Sequence, residues 1–376
     1  MPPDFIGRMV IPTHIQNSLL KRKEQNAFRS LIDKSNLIDF SSNDFFGLAR
    51  NSHLHLQIEE KYEKLLINKS GASGSRLLNG HSEYFEELEN KLAKIQQSES
   101  ALILNSGYNA NLSLLSSVPQ KGDTIIYDEK AHASIKDGAR LSIANHFSFK
   151  HNSVENLESK LRKSLDFPAL QTGEKYVVVE SIYSMDGDFC DIKPLIEVCE
   201  KYNAHLIVDE AHSTGIYGGG AGWCVEQGVE KAVFARVMTF GKAIGSFGAC
   251  ILGSEELKNY LINFARPFIY TTALQLHTLV SIECAFDYVV NHSELKIELD
   301  KNINYFKSKM KTTSISAIQS ILVKGNDEVK KMALELEQKG LDVRPILSPT
   351  VKEGEERLRV CLHNFNTKEE IDKLVI

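Results

Sequence analysis

Between about residues 81 and 254, short runs of β-branched and apolar residues alternate with longer stretches of helical periodicity. A parallel α/β sheet requires that alternation, because each parallel strand is reached through a crossover helix. The runs ALIL (Ala101–Leu104), TIIY (Thr124–Tyr127), YVVVE (Tyr176–Glu180), HLIVDE (His205–Glu210) and VMTF (Val237–Phe240) predict strands. Two of them, VVV and LIV, lack polar alternation and suit strands covered by helices on both faces. Helices are predicted around Tyr84–Ile95, Tyr108–Ser116, Ile192–Tyr202 and Leu274–Val290, the last long and apolar enough to mark a boundary. After it come a polar helix (Leu295–Lys311), the strand-like SISAIQSILV, a charged helix (Glu328–Lys339) and the strand-like RLRVCLH. The organisation expected is an N-terminal arm over 1–45, a large ligand-binding domain over 46–275 and a smaller C-terminal α+β domain over 276–376.

Composition narrows the class of function. A chain of 376 residues, 42% hydrophobic and 25% charged, can bury a sizeable core, which excludes disulfide-stapled scaffolds and wholesale disorder. The formal net charge of −5 gives no basic excess for nucleic acid or an anionic membrane. The six cysteines form no CxxC pair and no metal-ligand spacing, so reduced, mostly buried thiols and no metal are expected. No apolar core follows the charges of the N-terminus, and apolar stretches elsewhere stop well short of ~20 residues. A cytoplasmic protein acting on small molecules is the expectation.

Ligands of such sheets bind beyond the C-terminal ends of the strands, and there the informative residues lie. SIYSMDGD follows YVVVE, DEAHSTG completes HLIV, and GKAIGSFG follows VMTF. Three strand ends thus carry Ser184, then Asp209 with His212, then Thr239 with Lys242. An acid at a buried strand end needs a cationic partner, and a protonated pyridine nitrogen is one. Lys242 is flanked by Gly241, Ala243 and Gly245, which leave room for a flat ligand; a desolvated lysine there serves as a Schiff-base amine. The plain alternative is a solvated lysine on a turn. NSGYNAN puts Ser106, Gly107 and Tyr108 at a helix start, either an anion site or simple capping by Ser106. KAHAS puts His132 at another helix start, as a cap or as a ring stacked on a planar cofactor. DEAH also names a box in nucleic-acid-dependent NTPases, but the phosphate loop is missing. The only GK is Gly241-Lys242, with Arg236 where the earlier glycine belongs and Ala243 where Ser or Thr would bind magnesium.

Taken together, these residues resemble the α-oxoamine synthases, pyridoxal-phosphate enzymes of the aspartate aminotransferase-type fold (fold type I) that condense an amino acid with an acyl thioester and lose CO2. The resemblance spans DFSSNDFFGL, GASGSRLLNG, NSGYNAN, KAHAS, SMDGD, DEAHSTG, TFGKAIGSFG, RPFIYTTAL and PTVKEGEERLRV, nine segments in order. It implies an α/β fold with a mostly parallel central sheet and a homodimer with its active site at the subunit interface. Lys242 would carry the cofactor and, once freed, act as the Cα base. Asp209 would hold the pyridine nitrogen protonated, and His132 would stack on the ring. Ser184 and His212 would bond near the ring hydroxyl. Thr239 with the Gly107 and Tyr108 amides would hold the phosphate, joined by Thr271 and Thr272 of a partner subunit. Asn43 and Arg359 would bind the amino-acid carboxylate, Arg359 otherwise being a strand-edge surface residue; Arg29 and Thr350 would contact the acyl substrate. Ser75 in GSR points to the branch that joins alanine to a pimeloyl thioester. Branches using serine with palmitoyl or glycine with acetyl thioesters remain as alternatives, as does a non-catalytic partner subunit that would have no reason to keep Lys242 with Asp209 and His212. Two departures stand out: Ser73 where the family usually has glycine, and Phe85 where many members have histidine.

Overall fold

The alternating pattern builds a seven-stranded sheet. In the computed structural model, which describes residues 11–67, 69–166 and 173–375, the strands run from edge to edge as Ser100–Leu104, Ala249–Gly253, Ala235–Thr239, Ala204–Asp209, Lys175–Glu180, Thr124–Asp128 and Asn145–Phe149. Only Ala249–Gly253 is reversed, pairing antiparallel with both neighbours. The other pairings are parallel, so Leu104, Asp128, Glu180, Asp209 and Thr239 all end at one side of the sheet. Residues 1–10 of the expected arm lie outside the described residues.

Burial on both faces explains the unbroken apolar runs. Val177, Val178 and Val179 are wholly buried. Tyr176 and Val178 pack in one core with Leu114 and Ile135, on helices Gly107–Ser117 and Ala133–Leu141. Val177 and Val179 pack in another with Leu157 and Leu195, on helices Val154–Asp166 and Ile192–Lys201. Each such side chain removed from water contributes about 1.5–3 kcal/mol. Two strands escape the sequence pattern. Asn145–Phe149 is an edge strand with four of its five residues exposed, so it has no apolar run to betray it. Ala249–Gly253 directly continues the glycine-rich segment after Lys242, with no polar turn to set it apart as a separate strand.

The C-terminal unit contains an antiparallel sheet in the order Arg344–Ile346, Arg357–Cys361, Ile318–Leu322, flanked by helices Glu294–Lys309 and Asn326–Gln338. Ile38–Asp39 of the N-terminal segment pairs in parallel with Leu341–Asp342, which ties the two ends of the chain together. Helix Leu276–Asn291, at the expected boundary of the small domain, shares one apolar core with residues of both units, and Phe286 meets the Phe240 ring edge-on at 5.7 Å. No helix among the described residues is long and apolar enough to cross a membrane.

Candidate active site

A cavity of about 230 Å3 lies over the C-terminal strand ends, lined by Gly107, Tyr108, His132, Asp209, His212, Thr239 and Lys242 among others. Seven residues singled out from sequence are therefore brought together. Asp209, at the last position of its strand, is 5% exposed. Its Oδ1 accepts the Ala211 N–H at 2.9 Å and its Oδ2 accepts the Asn111 amide at 2.7 Å. The second N–H of that amide goes to Ser134 Oγ at 2.9 Å, and Ser134 Oγ lies 2.8 Å from His132 Nδ1. His132 Nδ1 also accepts the Ser134 backbone N–H at 3.2 Å, so the ring caps helix Ala133–Leu141 and keeps its face free for the cavity. The capping reading of this histidine is thus met, and the same residue borders the cavity.

Lys242 sits in the turn after strand Ala235–Thr239, with Nζ 2.8 Å from His212 Nε2. Burial lowers the lysine to about 8, against the pull of Asp209 and Glu180, so a reactive neutral amine is accessible near neutral pH. His212 is held well below its ordinary range by burial and then by the Lys242 and Arg359 charges, and is a neutral imidazole. Its Nδ1 has no partner among the described residues although it is buried, an expense that a ligand oxygen would remove. Below them Glu180, fully buried, accepts the His132 backbone N–H at 2.5 Å. Burial and then Asp209 raise it to about 8, against the pull of Lys242 and of the N–H it accepts, so its proton is held far more tightly than an ordinary carboxyl holds it. Sequence reading missed Glu180, Asn111 and Ser134. A glutamate closing an apolar strand and an asparagine on the buried face of a helix were the available signals.

The opposite wall is the start of helix Gly107–Ser117, whose first-turn N–H groups have no intrahelical partner. Ser106 Oγ takes one of them, from Asn109, at 3.2 Å. A side chain at Gly107 would meet Thr239 Cγ2 at 2.4 Å, so only glycine lets this backbone approach the threonine and leave an anion-sized cradle. A carboxylate, an amine of lowered pKa, an unpartnered histidine nitrogen and an N–H cradle fit a pyridoxal phosphate, which offers a ring nitrogen, a carbonyl, a hydroxyl and a phosphate.

The remaining expected residues fall around this cavity. Ser184 and Thr350 line a second cavity of about 590 Å3 that shares His132. Arg359 donates to the Ser184 carbonyl at 2.6 Å and to Asn43 Oδ1 at 2.8 Å, which brings those three together across the two units. Arg29 is exposed and reaches Thr350 Oγ1 at 2.9 Å. Thr271 and Thr272 line a separate small pocket, where Thr271 accepts from Asn105 at 2.8 Å. Both departures have physical readings. Ser73 has φ +58°, the left-handed region where glycine is at ease, and its hydroxyl bonds Ala72 O at 2.8 Å and the Asn79 amide at 3.1 Å. Phe85 is buried under the Arg76 guanidinium at 4.2 Å, and Arg76 is ion-paired with the buried Glu89.

A mostly parallel sheet with this lysine and acid at its strand ends defines the fold type I transferases that work through pyridoxal phosphate. The profile of the family "Aminotransferase class I and II" matches residues 35–375, and the chain belongs to that family. An 8-amino-7-oxononanoate synthase of Emericella nidulans is 38% identical over 384 residues, 96% of this chain and 93% of the relative. A serine palmitoyltransferase from S. paucimobilis, solved with bound PLP-myriocin aldimine, superposes with a TM-score of 0.86 at 26% identity, over 96% of this chain and 95% of that one. An 8-amino-7-oxononanoate synthase from Francisella tularensis superposes with a TM-score of 0.75 at 27% identity, over 90% and 96%. These relatives put the chain among the α-oxoamine synthases, as its nine segments implied.

Proposed function

We propose that this chain is an 8-amino-7-oxononanoate synthase, a pyridoxal-phosphate-dependent acyltransferase of biotin formation that joins L-alanine to a pimeloyl thioester with release of CO2 and the carrier thiol. The observation that carries the reading is the buried Lys242 amine, 2.8 Å from a neutral His212 and above Asp209, in a chain with a 38% identical synthase as a near full-length relative. Six buried free cysteines suit a reducing compartment, the cytoplasm.

When bound, pyridoxal phosphate supplies an electron sink for negative charge at the amino-acid Cα, needed once for carbon–carbon bond formation and again for loss of CO2. The residues do the rest. Asp209, fixed by Asn111 and the Ala211 N–H, holds the proton on the ring nitrogen. His132, at the cavity wall, would stack on the ring. Ser184 and His212 bond near the ring hydroxyl. Gly107, Tyr108 and Thr239 hold the phosphate. Lys242 would hold the cofactor and, as an amine of lowered pKa, would be suited to take the Cα proton. Arg359, braced by Asn43 and the Ser184 carbonyl, would grip the amino-acid carboxylate and so orient the amino acid at Lys242. Arg29 and Thr350 contact the acyl substrate at the mouth of the second cavity.

A second copy of the chain completes the site. Thr271 and Thr272 lie outside the Lys242 cavity of their own chain, beside the exposed Tyr270, while Leu78 and Phe247 are also exposed. A homodimer that covers these apolar side chains would turn the threonines toward the partner's phosphate cradle.

The test supplies the reconstituted enzyme with alanine, glycine or serine and with pimeloyl, acetyl or palmitoyl thioesters, and follows thiol release and product mass. Alanine with pimeloyl should dominate. Glycine should be a poor but detectable substrate, because one methyl is worth only ~1–3 kcal/mol. Preference for serine with palmitoyl, or glycine with acetyl, refutes the assignment.

A further inference from the structure

The second cavity is lined by Ala133, Met185, Pro349 and Val351 as well as by four cations. Three of the cations are matched. Lys130 lies 2.8 Å from Asp186, Arg357 pairs with the same carboxylate, and Lys352 is 3.7 Å from Glu129. The fourth, Lys136, has no hydrogen bond or ion pair at its ammonium among the described residues. Glu180, Asp128 and Glu129 favour its charge from a distance and Arg140 opposes it, but burial is the largest influence and lowers its pKa. A half-buried cation without a partner carries a desolvation cost that a bound anion would offset.

Lys136 stands four residues beyond His132, its backbone N–H reaching the His132 carbonyl at 3.3 Å. His132 is the N-cap, so the two residues are set about 6 Å apart along the axis, and both side chains line the second cavity. His132 borders both cavities, whereas Lys136 lines the second and not the Lys242 cavity. An acyl chain whose thioester carbon lies by Lys242 could run past His132 over Ala133, Met185 and Val351 and end at Lys136.

We propose that Lys136 is the residue that reads the acyl substrate: it takes the carboxylate at the far end of a dicarboxylic acyl thioester, while the apolar wall takes the methylenes. The inference rests on the acyl-transfer reading above and deepens it, since a long monocarboxylic chain would bring Lys136 no partner.

The test compares pimeloyl-CoA with its ω-methyl ester as substrates of the holoenzyme and of Lys136→Met and Lys136→Arg. Wild type should prefer the free carboxylate by about tenfold or more in kcat/KM. Lys136→Met should erase the preference and Lys136→Arg should keep most of it. Pimeloyl-N-acetylcysteamine, which has no phosphate, should give the same pattern. An unchanged preference in Lys136→Met overturns the assignment. So does a loss seen with CoA esters alone, which would make a phosphate the ligand. Calorimetric titration with monomethyl and dimethyl pimelate needs no turnover. If wild type fails to use pimeloyl thioesters, the acyl-transfer reading falls, and the titration decides separately: binding of the monomethyl ester that is lost in Lys136→Met sustains the assignment, and equal binding by both proteins overturns it.

Discussion

Replacing Asn111 by alanine should show that the acid beneath the cavity works only while it is held. The Asn111 amide donates 2.7 Å to Asp209 and 2.9 Å to Ser134, and through Ser134 it is linked to His132. A carboxylate only accepts, so the amide nitrogen must face Asp209 and the amide has one orientation. In the variant, Asp209 keeps the Ala211 N–H alone. A hydrogen bond to a charged group contributes about 1.5–3 kcal/mol, so kcat/KM for the proposed condensation should fall about ten- to hundredfold at saturating pyridoxal phosphate. Asp209→Asn removes the charge itself and should cost at least ~3 kcal/mol of transition-state stabilisation. If Asn111 acts through Asp209, the double variant should lose little beyond Asp209→Asn, so that the coupling nearly equals the loss from Asn111→Ala alone. Urea unfolding of the same variants separates a lost positioning role from lost folded protein. Fully additive losses in kcat/KM, with all variants folded, would refute the reasoning.

Two further predictions concern pH. His151 lies 3.0 Å from Asp128 and 2.6 Å from Asp188; burial lowers its pKa, but the two carboxylates outweigh it and hold the ring at about 9. A folded pKa above the unfolded value of 6.5 means stabilisation fully present below pH 6.5 and lost as pH rises through 9. His151→Gln should therefore lower stability by about 3 kcal/mol at pH 6 and by much less near pH 10, measured from urea midpoints; a pH-independent difference would sink the idea. Glu180 is raised by burial and then by Asp209, against Lys242, so the unfolded chain gives up this proton first and stability should fall as pH rises from about 4.5 toward 8. Glu180→Gln should flatten that slope in thermal melts of the cofactor-free protein between pH 5 and 8, and an unchanged slope would show that another group is responsible.

What the sequence made legible follows from what each residue acts on. In the proposed function Lys242, Asp209 and His212 act on the ligand itself, so that chemistry demands their residue types at strand ends, and both the strands and the order of the residues could be read. Asn111, Ser134 and Glu180 act on other residues: their partners lie up to 98 positions away, and only the sheet order makes them neighbours. The same holds for the fold. Val177–Val179 declare themselves because both faces are buried, whereas Ile38–Asp39 is a strand only because Leu341–Asp342 lies beside it, and two residues carry no period. Ser73 sharpens the point, since its departure from glycine gains meaning only with φ +58°, where the hydroxyl's two hydrogen bonds offset part of the strain. Lys136 is the extreme case. On a helix of ordinary polar pattern a lysine reads as solvated surface, and what distinguishes this one is an absent partner among the described residues, a property that emerges only once Asp186, Glu129 and Glu180 have been assigned to other cations or to a backbone N–H.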